Sequence, residues 1–132
     1  MKIKTQEEKK FPDKTVLIVE DDSASYKLLK VLLHTLEIKT IWAEGGNESI
    51  KICSENPDID LVLMDIKMLD LNGYEATKRI KKFRPELPII AQTAHALYGD
   101  AERAAEAGCD GYITKPIRKK ELFELIDKYL KF

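Results

Sequence analysis

Four apolar runs in this chain each end in a residue that can do ionic or nucleophilic chemistry. Thr15-Val16-Leu17-Ile18-Val19 leads into Glu20-Asp21-Asp22, and Ile59-Asp60-Leu61-Val62-Leu63-Met64 leads into Asp65. Pro88-Ile89-Ile90-Ala91-Gln92 leads into Thr93, and Gly111-Tyr112-Ile113-Thr114 leads into Lys115-Pro116. Side chains just past the strand C-termini of an open parallel sheet converge on one crevice, where ligands bind. Carboxylates, a hydroxyl and a lysine gathered there suit a divalent cation and a phosphoryl group.

The elements that must position these residues follow from periodicity. Strands are expected at Thr15–Glu20, Lys39–Ala43, Ile59–Met64, Ile89–Thr93 and Gly111–Thr114. Helices are expected at about Ser23–Leu36, Gly46–Ser54, Asn72–Phe83, Gly99–Ala107 and Lys119–Lys131. Leu29, Leu32, Leu33 and Leu36 recur at helical spacing in the first helix, as Leu122, Phe123, Ile126 and Leu130 do in the last. Ser23 and Asn72 read as N-caps, and Gly108 as a left-handed C-terminal residue. The first and third strands are nearly continuous apolar runs, as in strands covered on both faces. Strand and helix alternate five times, which gives a doubly wound α/β domain with right-handed crossovers.

Bulk properties narrow the class. A chain of 132 residues suggests one domain. With 22 basic and 23 acidic residues the net charge of −1 gives no global field for nucleic acid or an anionic membrane. Cys53 and Cys109 show neither metal nor redox spacing and read as reduced thiols in a cytoplasmic domain, with a disulfide between them as the minor alternative. No apolar stretch approaches the roughly 20 residues of a membrane span. Residues 1–13 are mostly polar and read as a flexible lead-in or linker remnant, leaving 14–132 as the domain.

The segments Leu17-Ile18-Val19-Glu20-Asp21-Asp22, Leu63-Met64-Asp65-Ile66-Lys67-Met68, Thr93-Ala94 and Tyr112-Ile113-Thr114-Lys115-Pro116, with the Asn72-Gly73 turn, resemble the receiver domains of two-component signalling. Each motif alone is weak, but the four stand in order at matching element ends. The resemblance implies a flavodoxin-like five-stranded parallel sheet of order 2-1-3-4-5. It implies a phosphoacceptor fed by a histidine kinase or histidine phosphotransfer protein, rather than an enzyme acting on a separate substrate. It leaves open a single-domain regulator or the receiver of a hybrid sensor kinase.

Residue by residue, Asp65 is the expected phosphoacceptor, since a carboxylate can attack phosphorus once the gathering charge is neutralised. By itself, an Asp after a buried strand is slightly more often a helix-capping acid, and its neighbours here reverse that balance. The resemblance gives Mg2+, or Mn2+ in its place, direct contacts with Asp21 and Asp65 and the Lys67 backbone carbonyl, with Glu20 acting mainly through water. Lys115 is expected to reach a phosphoryl oxygen, and its bond to Pro116 to be cis. Thr93 and Tyr112 form the implied switch, acting on an effector or output domain through the fourth helix, fifth strand and fifth helix. Lys67 and His95 are expected to border the water that hydrolyses the acyl phosphate and so to tune its lifetime. Asp22 reads as a first-turn acid. Trp42 reads as core packing and His34 as a packed or surface residue. Leu69 stands where many receivers carry proline, which is expected to loosen the loop after Asp65.

Two other readings compete with this one. Haloacid-dehalogenase-like phosphatases also use a strand-end Asp with Mg2+, but they resemble Asp-x-Asp, and Lys67 cannot be the second acid. A degenerate receiver used only for interaction would not need the full set Glu20, Asp21, Asp65, Thr93 and Lys115.

Overall fold

The computed structural model describes residues 9–94 and 99–130. The strands are β1 (Thr15–Val19), β2 (Lys39–Ala43), β3 (Leu61–Asp65), β4 (Ile89–Thr93) and β5 (Gly111–Thr114). The helices are α1 (Ser23–His34), α2 (Gly46–Glu55), α3 (Gly73–Phe83), α4 (Asp100–Ala107) and α5 (Lys119–Leu130). All strand pairs are parallel, in the order β2-β1-β3-β4-β5. Element types and order match the expectation, and the ends differ by a residue or two.

Strand alternation divides the core in two. Val16, Ile18, Leu61 and Leu63 point to the face that Leu29 and Leu33 of α1 and Leu122, Ile126 and Leu130 of α5 cover. Leu17, Val19, Val62 and Met64 point to the other face, packed by Cys53 of α2 and by Ala76 and Ile80 of α3. Both faces of β1 and β3 are therefore dry, which is why these strands carry almost no polar residue. Truncating one of the buried Leu, Ile or Met side chains among these to Ala would cost on the order of 2–5 kcal/mol.

The chain runs outward from β1 to β2 and then returns to place β3 on the other side of β1. That reversal opens a crevice between the C-terminal ends of β1 and β3. The pairing of Val19 with Met64 sets Glu20 beside Asp65.

Three local expectations are corrected. The N-cap of α1 is Asp22, not Ser23: its carboxylate accepts from the Ser25 backbone N–H at 3.0 Å and the Ser25 hydroxyl at 2.7 Å. Trp42 is only half-buried; its ring stacks on Tyr26 with centroids 4.0 Å apart. Phe11, assigned to the lead-in, is 7 % exposed and belongs to the α1/α5 core. Its N–H donates to the Leu36 carbonyl at 2.8 Å, so the described part of that segment packs onto the domain. Asn72 caps α3 as expected, accepting from the Glu75 N–H at 3.0 Å. Gly108 has φ 100° at the C-cap of α4, and both cysteines are free.

Candidate functional site

Glu20, at the end of β1, is buried, with 1 % of its surface exposed. Its two carboxylate oxygens have separate partners: one accepts from the Asp22 N–H at 3.2 Å, the other from the Lys115 ammonium at 2.9 Å. Lys115 also lies 3.4 Å from a carboxylate oxygen of Asp65, which is 5 % exposed. Asp21 is exposed at the rim. Ligand oxygens of Glu20, Asp21 and Asp65 lie within 4.8 Å of one another.

Two carboxylates this close and this dry cannot both ionise easily. Burial, and then the neighbouring charge of Glu20, push the Asp65 carboxyl up to about 7 despite the opposing ammonium. For Lys115, burial alone favours the neutral amine. The Glu20 hydrogen bond and the charges of Asp65 and Glu20 outweigh it and raise its pKa.

The loop after Asp65 is held from two sides. The Gly73 N–H donates to the Ile66 carbonyl at 2.9 Å. A Cβ at Gly73 would collide with the Asp65 carbonyl oxygen, so the close approach requires glycine. The Asp70 carboxylate accepts from the Gly46 and Asn47 N–H groups at 3.0 and 3.1 Å. Gly45, the N-cap of α2, has no side chain for that task, so Asp70 caps the helix from across the crevice. Burial opposes ionisation of Asp70, but these N–H bonds prevail and lower its pKa. With Leu69 fully exposed in place of proline, Asp70 supplies the tie.

The remaining expected residues are placed as follows. Thr93 is buried at the end of β4, its hydroxyl 3.4 Å from an Asp100 carboxylate oxygen. Tyr112 on β5 faces outward, 43 % exposed. Exposed Lys67 lines, with Asp21, Met68 and Tyr74, a cavity of about 420 Å3 beside the acidic cluster. The Lys115-Pro116 bond is cis. His95 lies outside the described residues.

Sequence reasoning missed two contacts. The Trp42 indole N–H donates to the Glu20 backbone carbonyl at 2.8 Å, and Asp70 joins the loop after Asp65 to α2. Neither contact has a motif, because in each case one partner is backbone distant in sequence.

A doubly wound parallel sheet with acidic residues and a lysine converging at its switch point defines a class. Residues 16–127 match the family described as the response regulator receiver domain, and the chain belongs to it. The polar-differentiation response regulator DivK of Brucella ovis is 39 % identical over 119 residues, covering 89 % of this chain and 96 % of that protein. The receiver domain of sensor histidine kinase PA1611 from Pseudomonas aeruginosa, solved with magnesium in its active-site cleft, is similar in structure. It has a TM-score of 0.82 and 29 % identity, covering 89 % of this chain and 97 % of that one. A co-crystal structure of the Saccharomyces cerevisiae phosphotransfer protein Ypd1 with the receiver domain of Ssk1 matches with TM-score 0.85 and 31 % identity. The match covers 92 % of this chain and 91 % of that one. Among the described residues no helix is long and apolar enough to cross a membrane.

Proposed function

We propose that this receiver domain takes a phosphoryl group from a phosphohistidine onto Asp65, with Mg2+ or Mn2+ beside it, and signals through a protein surface. The observation that carries this reading is the Lys115 ammonium set between the Glu20 and Asp65 carboxylates at 2.9 and 3.4 Å. A half-buried ammonium held between two buried acids suits a site that must manage surplus negative charge.

The residues fit a small hard dication. Every donor is oxygen, Asp21 stands open at the rim, and Asp65 already bears the strain of unneutralised charge. Asp21, Asp65 and the Lys67 carbonyl would hold it, with Glu20 acting through water. When bound, the ion neutralises charge on the phosphoryl oxygens.

Asp65 supplies the nucleophilic oxygen. Its bond to phosphorus forms as the P–N bond to the donor imidazole breaks, and the electron pair returns to the ring nitrogen. Lys115 is poised to follow the incoming charge, since its flexible stem and compact ammonium can shift from Asp65 to a phosphoryl oxygen. The Thr93 hydroxyl then bonds the phosphoryl group, and the exposed Tyr112 ring turns inward behind it. That motion would alter the α4–β5–α5 surface offered to an effector or output domain.

The donor is a histidine kinase or histidine phosphotransfer protein, by likeness to the Ssk1 receiver crystallised with Ypd1. Leu28 and Val31, 48 % and 61 % exposed on α1, give such a donor an apolar contact near the site. Two free thiols suit a reducing, cytoplasmic setting. A small acyl phosphate with Mg2+ should add one alkali-labile phosphoryl mass per chain. Asp65→Asn should abolish it, and equal labelling of that variant would overturn the assignment.

A further inference from the structure

Gln92 lies on β4 with Asp65 and Ile113 as its neighbours on the flanking strands. It is 1 % exposed, yet neither the Nε2 nor the Oε1 of its carboxamide has a hydrogen-bond partner. A buried amide left unpaired on both atoms bears the full desolvation penalty of each. Gln92 lines a cavity of about 130 Å3 between α1 and the turn from β5 to α5. Leu28, Leu29, Pro116 and Ile117 form its apolar walls.

We propose that this cavity is a docking pocket for a primary carboxamide, an asparagine or glutamine side chain presented by the phosphodonor. The other polar side chains at the cavity, Ser25 and Lys115, already donate elsewhere. The Ser25 hydroxyl donates to Asp22 at 2.7 Å, and Lys115 is bound to Glu20 and Asp65. The occupant must therefore donate to Oε1 and accept from Nε2. A carboxylate cannot donate, an ammonium cannot accept and a hydroxyl offers one atom for two partners, whereas a carboxamide sets a donor against Oε1 and an acceptor against Nε2 in one plane.

The pocket is joined to the phosphoacceptor through Lys115, which forms part of its wall while lying 3.4 Å from Asp65. It is joined to the surface through Leu28, which belongs both to the wall and to the exposed apolar face of α1. A protein that reaches Asp65 across α1 covers the pocket mouth. The identity of the occupant rests on the phosphoacceptor reading; the pairing requirement rests on Gln92 alone.

Propionamide serves as the probe and 2-butanone as its control, with a methyl in place of the NH2. Titration of the metal-free protein, followed at the Gln92 side-chain NH2 resonance, should give a saturable shift in the range of roughly 1–50 mM for propionamide, as its few atoms allow. Butanone should bind several-fold more weakly, and Gln92→Met should lose the preference. Equal binding of the two probes, no saturable shift, or a crystal soaked in propionamide showing only waters on the amide would overturn the pocket. Labelling of Asp65 by a small acyl phosphate in Gln92→Met tests the underlying reading separately, because that donor does not use the pocket.

Discussion

The indole N–H of Trp42 is bonded to the backbone carbonyl of Glu20, 2.8 Å away, so the last turn of β1 is held by a side chain from the edge strand β2. Tyr26 of α1 stacks nearly parallel on the same ring, at an interplanar angle of 5°. The acidic turn is thereby fixed from a strand and a helix before any ligand arrives. Preorganised ligands lose less on binding than those that must first be ordered.

Trp42→Phe tests that relationship, because phenylalanine keeps an aromatic face for Tyr26 but has no N–H. A neutral hydrogen bond is worth about 0.5–1.5 kcal/mol. Mg2+ affinity should fall by roughly 3- to 10-fold by calorimetry. An unchanged affinity would reduce Trp42 to packing.

Asp21 and Asp22 should separate cleanly. Asp21→Ala removes the exposed carboxylate of the acidic cluster and should abolish most Mg2+ binding with little effect on Tm. Asp22→Ala removes the α1 cap and should lower Tm by a few degrees, roughly 2–5 °C, while sparing the metal. Equal losses of Mg2+ affinity in the two variants would contradict the assignment of ligand and cap.

The raised Asp65 pKa fixes the sign of two pH effects. In metal-free protein, the folded state holds its proton up to about 7 whereas the unfolded chain releases it near 3.8. Stability from this group is complete below the lower value and is lost as pH rises through the upper one. Asp65→Asn should therefore raise Tm more at about pH 8 than at about pH 5. Mg2+ must displace the same proton, so its affinity should fall about tenfold per unit as pH drops below 7, with proton release on binding. A flat profile between about pH 5 and 8 would show that Asp65 is already ionised.

Gln92→Met should stabilise the unliganded domain, since it removes two unpaired polar atoms at similar volume. A gain of about 1 kcal/mol or more, roughly 3–5 °C in Tm, is expected. A loss of stability would mean the amide is already satisfied in solution.

The sheet and the placement of the candidate site residues were legible because strand ends in a doubly wound fold share one crevice. Once the runs before Glu20, Asp65, Thr93 and Lys115 are read as strands, topology brings their ends together. What resisted reading depends on single contacts. Asp22 and Ser23 are both good caps one residue apart, and only the backbone φ of −96° and ψ of 117° at Asp22 decides between them. Phe11 sits among charged residues, where one aromatic carries no periodicity. Asp70 looks like any loop acid until α2 is seen to begin at a glycine across the crevice.

Lys67 remains the residue whose role most needs kinetics. Its exposed side chain borders the same cavity as Asp21, two residues past Asp65 in the chain. Hydrolysis of an acyl phosphate needs water in line with the Asp65–phosphorus bond. A long cationic stem here can lie against a phosphoryl oxygen, stabilise the ground state and obstruct that water. It carries no oxygen to orient the attack. Lys67→Ala should therefore shorten the lifetime severalfold, and Lys67→Asn, which adds an amide oxygen, should shorten it further. If the lysine stabilises the transition state more than the ground state, both effects reverse. First-order decay of the labelled protein, with donor removed and Mg2+ in excess, decides between them. A lifetime in Lys67→Ala equal to or longer than that of the parent would rule out obstruction.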